Sequence, residues 1–191
     1  MALLDWLLSI LKKPEKNKDP LPAPAPVAPA PAAAPPKPEP KPKPQHITMQ
    51  DYLMGRDALA PLTDEMKQNA QITVDKVNQL LDKFGSRRGV NSGYRPAAVN
   101  QHVKNAAPNS KHLTCQACDL EDSDGKLRDW IIANLAVPKE IGLWMEDFRW
   151  TPGWCHVQIV PPASKKRIYI PSTKPPLNPN AWSGVYDKAY D

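Results

Sequence analysis

The longest regular pattern of apolar and polar positions in the chain is helical and lies between residues 63 and 84. Thr63 is a favourable N-cap and Gly85 a favourable stop, and two acidic residues in the first turn suit the helix dipole. The apolar positions follow one another at steps of three and four residues: Met66, Ala70, Val74, Val77, Leu81 and Phe84. Such spacing predicts one amphipathic helix over 63–84 with a single buried face.

Shorter patterns predict a small sheet and further helices around this helix. Two apolar runs, 141–146 and 154–160, are separated by a segment containing Pro152 and Gly153, which favours an antiparallel hairpin. The other predicted elements are, in chain order, a short helix or turn at 48–53, a strand leading into a turn at 89–96, a helix at 96–103, a helix at 126–134 and a strand at 167–170. Together they indicate an α+β fold, a small antiparallel sheet flanked by helices.

The first 13 residues form a separate apolar run, in which Asp5 and Ser9 share one face of a helix. The run is too short to cross a hydrocarbon core of about 30 Å, and it lacks the positively charged start of a signal peptide. Its pattern predicts a short amphipathic helix. Three roles stay open for it: an anchor in the membrane interface, a helix that docks on a protein partner, or an atypical export signal.

Composition divides the chain into three parts. Residues 14–45 hold 13 of the 24 prolines, interleaved with Ala and Lys, and such a sequence forms no packed core. We expect a disordered, polyproline-like linker there, either a spacer between a tether and a searching domain or a passive connection. Residues 46–191 remain for one domain.

Charge and cysteine content narrow the function classes. The net charge is +5, and more than half of this excess lies in residues 1–45. The domain therefore lacks the basic footprint of a nucleic-acid-binding protein, and we expect no nucleic-acid partner. Three cysteines, an odd number, argue against a closed disulfide framework. We expect the protein to be a monomer.

The candidate chemistry lies in two histidines and an aspartate. His112 precedes Asp119 by seven residues, and His156 follows in a predicted strand. Two histidines and a carboxylate are a ligand set of catalytic zinc sites, which leave one position for water. A separation of seven residues suits neither one helix nor one straight strand, so a chain reversal near residues 114–116 is predicted, with Asp119 at the start of a strand. In the second segment, period two places three residues on one strand face: Trp154, His156 and Gln158.

An ordered set of motifs resembles the zinc D-alanyl-D-alanine carboxypeptidase family, which includes phage L-alanyl-D-glutamate endopeptidases. The motifs are Ser92-Gly-Tyr-Arg-Pro96 with Asn100, Ser110-x-His112, Ala117-x-Asp119 and Trp154-x-His156. The resemblance covers about residues 60–170. It implies Zn²⁺ as the cofactor, with His112, Asp119 and His156 as its ligands. It also implies that the substrate is a peptidoglycan stem peptide, cut by a carboxypeptidase or by an endolysin-type endopeptidase.

The same resemblance assigns the substrate-binding groups. Arg95 would steady a carboxylate or carbonyl oxygen of the substrate. Ser110 would brace the first metal ligand or contact the substrate, and we place Tyr94 in the same substrate-binding set. Such an enzyme would be made in the bacterial cytoplasm and act at the cell wall or in the periplasm, with a possible membrane association through residues 1–13.

The proton-transferring acid departs from the family pattern. Some members carry it three residues before the last histidine, and here that position is Gly153. If the hairpin turns about Thr151, Glu146 and His156 lie opposite each other, so Glu146 is the best substitute. Asp147 is the rival, although a neighbouring residue on a strand points to the other face.

Two other functions remain open at this point. Cys115 and Cys118 could form a redox pair, or join Cys155 or a histidine in a closed structural zinc site. Otherwise these thiols are buried packing residues. The domain could also be a non-catalytic module that retains a zinc fold and binds the cell wall or a partner.

Overall fold

The computed structural model describes residues 46–171. The predictions for 1–13, for 14–45 and for the part of the domain after residue 171 lie outside the described residues. The helices are α1 Met49–Leu53, α2 Asp64–Phe84, α3 Ala97–Asn100, α4 Lys126–Ala133 and α5 Ala136–Ile141, with a short 3₁₀ helix at Arg56–Ala58. The strands are β1 Val90–Ser92, β2 Ala117–Glu121, β3 Trp144–Glu146, β4 Trp154–Gln158 and β5 Ile168–Tyr169.

Helix α2 confirms the prediction from the apolar pattern. The Thr63 side chain accepts a hydrogen bond from the Met66 N–H, and Gly85 ends the helix in the left-handed conformation at φ 80°. Its buried face packs on the core through six residues: Ala70, Thr73, Val74, Val77, Leu80 and Leu81. Within residues 46–171, no helix has the length and apolar character needed to span a membrane.

The five strands form one sheet in the order β1-β2-β4-β3-β5. The β1–β2, β2–β4 and β4–β3 pairs are antiparallel, as predicted. The β3–β5 pair is parallel, so the sheet is mixed and the prediction of a wholly antiparallel one is corrected. The cause is connectivity: the chain reverses after β4 and returns on the far side of β3, in the direction of β3. The α+β class is confirmed.

The chain between residues 136 and 146 differs from the prediction. A strand was expected from residue 141, but α5 occupies Ala136–Ile141 and β3 begins only at Trp144. Pro138 is tolerated because it lies in the first turn, where the backbone N–H has no helical acceptor. Gly142, at φ 76°, ends the helix with N–H bonds to carbonyls of its last turn.

Two boundaries near the candidate site also differ. Helix α3 ends at Asn100 rather than near residue 103, and Pro96 is its N-cap rather than its first residue. Strand β2 begins at Ala117, so Asp119 is its middle residue and not its first. The segment between α3 and β2 is therefore a long loop, residues 101–116.

Helix α2 holds the end of this loop in place. The Thr73 hydroxyl donates to the Cys115 carbonyl at 2.9 Å, and the Asn69 amide donates to the Thr114 carbonyl at 3.1 Å. Cys115 itself adopts φ 58°, which turns the chain back into β2. The reversal predicted near residues 114–116 is therefore present.

Candidate metal centre

Three separate segments bring the two histidines and the aspartate together. His112 lies in the loop before β2, Asp119 in the middle of β2 and His156 in the middle of β4. The antiparallel register of β2 and β4 places Asp119 directly opposite His156. One candidate ligand atom from each residue lies within 4.8 Å of the other two. This is the arrangement that the reversal in the loop was predicted to allow.

The imidazole of His112 is fixed in one orientation. Its side chain is buried, and its Nδ1 lies 2.7 Å from the Gly93 carbonyl oxygen. A carbonyl can only accept, so Nδ1 carries the proton and Nε2 presents a lone pair. Nε2 lies 3.3 Å from Asp119 Oδ2. Burial lowers the pKa of His112, although Asp119 partly offsets this, and the neutral form required of a metal ligand is favoured.

His156 is held from two sides. Its Nδ1 lies 2.7 Å from Asp119 Oδ1, and the Gln158 side chain, on the same face of β4, also acts to raise its pKa. The Gln158 amide nitrogen donates to the Val160 carbonyl at 2.6 Å, and its oxygen accepts from the Tyr169 hydroxyl at 2.6 Å. The Gln158 oxygen is therefore the acceptor available to the imidazole N–H. Burial opposes a charge on His156, but Asp119 outweighs it and the pKa of His156 is raised.

Asp119 is the charged member of the group. Burial alone would raise the pKa of its carboxyl, but His112 and His156 outweigh burial and hold that pKa well below its usual value. The site thus combines one ionised carboxylate with two imidazole nitrogens. This donor set could hold a divalent metal ion.

The three residues line a groove of about 580 Å³, a size typical of ligand sites. Other predicted site residues line the same groove: Arg95, Ser110 and Glu146. Arg95 Nη2 donates to the Ser110 Oγ at 3.0 Å, and the Arg95 backbone N–H donates to the His112 carbonyl at 3.2 Å. Arg95 Nε is buried and has no hydrogen-bond partner among the described residues. Burial lowers the pKa of Arg95, and Asp119 works against that shift.

The hairpin places Glu146, and not Asp147, at the groove. Trp144 pairs with Gln158 and Met145 with Val157, and the same register continued by one residue sets Glu146 opposite His156. The charge of Glu146 contributes to the raised pKa of His156. Asp147 is buried outside the groove, where it accepts hydrogen bonds from the Arg149 guanidinium at 2.9 and 2.7 Å.

Tyr94 is the predicted substrate-binding residue that the structure does not bring to the groove. Its side chain is 2% exposed, and its hydroxyl donates to the Ala60 carbonyl at 3.1 Å. Burial raises the pKa of this phenol. Tyr94 packs in the hydrophobic core, while the adjacent Arg95 lines the groove.

The three cysteines are unpaired and fully buried. Burial raises the pKa of Cys115 to about 12 and that of Cys118 well above the usual value, so neither thiol readily becomes the thiolate that binds metal or attacks a disulfide. Within residues 46–171, the group that could hold a metal contains no cysteine. The geometry therefore favours the packing role for these residues over a thiolate zinc site or a redox pair.

Sequence reasoning missed part of the groove. Tyr169 lines it from β5, and Trp150 lines it from the loop before β4. No periodic signal marks either residue, because β5 has two residues and Trp150 lies in a turn. Residues 103–107 also line the groove, although the sequence predicted a helix extending to 103.

Comparison with known proteins gives one match. A family model described as Peptidase M15 matches residues 47–151, which is more than half of the chain. The match includes Arg95, His112, Asp119 and Glu146 and stops before His156, which the fold supplies from β4. No curated protein and no solved structure matches the chain. Peptidase M15 enzymes depend on a metal ion, and the His-Asp-His group is where such an ion could bind. On this evidence the chain belongs to the Peptidase M15 family of metallopeptidases.

Proposed function

We propose that this protein is a zinc-dependent peptidase that hydrolyses peptide bonds in the stem peptides of bacterial peptidoglycan. The observation that carries the proposal is the group His112, Asp119 and His156, whose ligand atoms lie within 4.8 Å of one another on a groove that also contains Glu146 and Arg95. The family match supports a peptidase of the cell-wall type. We expect the shape and charge of the groove to determine whether the enzyme cuts a terminal or an internal bond.

The donors fit zinc. Zinc accepts histidine nitrogen and carboxylate oxygen at about 2.0–2.2 Å in tetrahedral sites, so two of its ligand atoms lie roughly 3.3–3.6 Å apart. His112 Nε2 and Asp119 Oδ2 are 3.3 Å apart. Three protein ligands leave a fourth position for water or substrate, which is the composition of a catalytic site.

Glu146 is the proposed general base. Bound zinc supplies Lewis acidity, which lowers the pKa of water and polarises the scissile carbonyl. Glu146 faces the same groove next to His156, so its carboxylate can accept the proton of the attacking water and pass it to the leaving amine. With this assignment, Glu146 takes over the proton transfer that some family members carry out with an acid at the position of Gly153.

Arg95 and Ser110 position the substrate. The buried guanidinium bonds Ser110 through Nη2, and this bond fixes its plane at the groove. It can then donate to a carbonyl or carboxylate oxygen of the substrate, where a charge-assisted bond is strong and directional. Ser110 Oγ also accepts from the His112 backbone N–H at 3.4 Å, so the same hydroxyl steadies the first metal ligand.

The substrate implies an action at the cell wall. A linker of the composition of residues 14–45 could reach up to about 100 Å at roughly 3.1 Å per residue. We propose that residues 1–13 attach the protein to a membrane interface or a protein partner, and that residues 14–45 let the peptidase domain reach the peptidoglycan.

The test is mass spectrometry of a muropeptide digest with the zinc-loaded protein, its Glu146→Gln variant and the matched control Glu140→Gln, which changes an exposed glutamate of α5. We expect products from the wild type and from the control. We expect Glu146→Gln to keep its zinc and to lose about 10²–10⁴-fold in rate, the usual contribution of a general base. Intact muropeptides after incubation with zinc-loaded wild type would refute the proposal.

A further inference from the structure

The segment from residue 103 to residue 111 forms one wall of the groove. Eight of its nine residues line the groove: Val103, Lys104, Asn105, Ala106, Ala107, Asn109, Ser110 and Lys111. The segment has no regular structure, yet it is tied down. The buried Asn100 amide donates to the Ala107 carbonyl at 3.0 Å, and the Ser110 backbone N–H donates to the same carbonyl at 3.1 Å. The wall therefore presents its side chains from a held backbone.

This wall makes the groove cationic. The charged residues that line the groove are three cations, Arg95, Lys104 and Lys111, and two anions, Asp119 and Glu146. The net charge of these five residues is +1, and a bound divalent ion would raise it to +3. Both anions already have roles at the metal centre. The three cations are left to act on a ligand, and a cleft with a net positive charge attracts anions.

The two lysines are available for such a ligand. Both are exposed. Within residues 46–171, no carboxylate lies within 4.0 Å of either ammonium group. By contrast, Lys67 and Lys126 pair with Asp64 and Asp124. Lys111 directly precedes the proposed metal ligand His112, so its side chain leaves the backbone one residue away from that ligand.

We propose that Lys104 and Lys111 select peptides that carry a free carboxylate beside the scissile bond. The inference rests on the proposed function and narrows its substrate class. In a stem peptide, such a carboxylate is the α-carboxyl of the γ-linked glutamate or the carboxyl at the peptide terminus. Amidation of that group would remove the charge with almost no change in shape, so the enzyme would discriminate between amidated and non-amidated peptidoglycan.

The test compares kcat/KM of the zinc-loaded full chain on three stem peptides. One has all carboxylates free, one carries an amide at the α-carboxyl of glutamate, and one carries an amide at the terminus. We expect one amide to lower kcat/KM about five- to tenfold, because each exposed ion pair contributes up to about fivefold. Which amide has this effect identifies the carboxylate. The preference should shrink at about 1 M salt, where the screening length is about 3 Å.

The double variant Lys104→Gln/Lys111→Gln should bring the ratio between free and amidated peptide close to one, with its zinc content unchanged. Lys83→Gln, which changes an exposed lysine in the last turn of α2, is the matched control and should keep the full ratio. Equal cleavage of all three peptides by wild type, or an undiminished ratio in the double variant, would overturn the inference and leave the proposed function standing. If no peptide is cleaved, the proposed function fails and the inference with it.

Discussion

Gly93 shows how one residue without a side chain supports the candidate metal centre. Its carbonyl oxygen accepts the Nδ1 proton of His112 at 2.7 Å. A Cβ at this position would lie 1.9 Å from the Tyr52 carbonyl oxygen, so Gly93→Ala must displace the backbone. We expect a loss of about 1–3 kcal/mol in the free energy of unfolding, typical of overpacking. We also expect zinc affinity to fall about 10–100-fold, because the bond that orients His112 is disturbed.

Gly89→Ala is the matched control for this prediction. Gly89 lies just before β1, and a Cβ there would meet only the Glu121 Cβ, at 3.7 Å, an ordinary contact. Thermal unfolding and zinc titration against a chromophoric chelator should therefore leave Gly89→Ala near wild type. Wild-type zinc affinity in a folded Gly93→Ala protein would show that the carbonyl does not orient His112.

The titration of His156 predicts how zinc binding depends on pH. Asp119 raises the pKa of His156 above its usual value against the effect of burial, so in the metal-free protein His156 keeps its proton to a higher pH than an ordinary histidine does. Zinc must displace that proton. Its apparent affinity should therefore fall as pH drops through this pKa, by about tenfold per unit below it. Calorimetry in buffers of different ionisation enthalpy should detect the released proton, and a zinc affinity that does not change with pH would contradict the assignment.

Among the elements, the short strand β5 contributes more to the site than its two residues suggest. Its parallel pairing with β3 brings Tyr169 to the groove, where the hydroxyl donates to Gln158 Oε1 at 2.6 Å. Gln158 in turn acts on His156, whose pKa its side chain helps to raise. Tyr169→Phe removes the donor that holds Gln158, so we expect zinc affinity to fall about tenfold, as is usual when a group behind a metal ligand is lost.

Tyr94→Phe separates this effect from a general loss of stability. Tyr94 also donates one hydroxyl bond, to the Ala60 carbonyl at 3.1 Å, but it does so away from the groove. Both variants should lose roughly 0.5–1.5 kcal/mol in the free energy of unfolding, the usual contribution of one hydrogen bond. Only Tyr169→Phe should bind zinc more weakly in a competition titration. Equal zinc affinities in the two variants would remove Tyr169 from the support of the metal centre.

The sequence predicts elements well where a periodic pattern is long or a turn is marked. Helix α2 has both, and its bounds agree with the prediction. The hairpin register that sets Glu146 opposite His156 also follows from the chain, because a reversal centred on Thr151 leaves both residues at the same distance from the turn. Helix α5 could not be predicted, because six residues around a proline carry no helical period. The parallel pairing of β3 with β5 could not be predicted either, because pairing between separate segments leaves no local sequence pattern.

The same reasoning explains which site residues could be found. Trp154, His156 and Gln158 share one strand face, and all three line the groove as the period of two requires. The meeting of His112 with Asp119 depends on a loop whose conformation is set by bonds from α2. The sequence indicates that the chain must reverse there, but it does not show which conformation the loop adopts. Tyr94 belongs to the same motif as Arg95, and the motif does not reveal that its side chain packs in the core.

For the whole molecule, the proposed zinc ion would join parts of the chain that lie far apart in sequence. His112 belongs to the loop 101–116, Asp119 to β2 and His156 to β4. A ligand that binds only the folded state stabilises it by about 2.7 kcal/mol when its concentration is 100 times its dissociation constant. For a domain of this size, we expect a chelator to lower Tm by on the order of 10 °C.

The control is a variant that has already lost the site. His156→Ala should unfold at the same temperature with and without chelator, because two remaining donors cannot retain the ion, whereas Lys83→Gln should respond as wild type does. Hydrogen exchange should locate the change: without zinc, amides of the loop before β2 should lose protection, while those of α2 keep it, since α2 has its own caps and buried face. If the chelator leaves the wild-type Tm unchanged, the hydrogen bonds of His112 and His156 already hold these segments together without a metal.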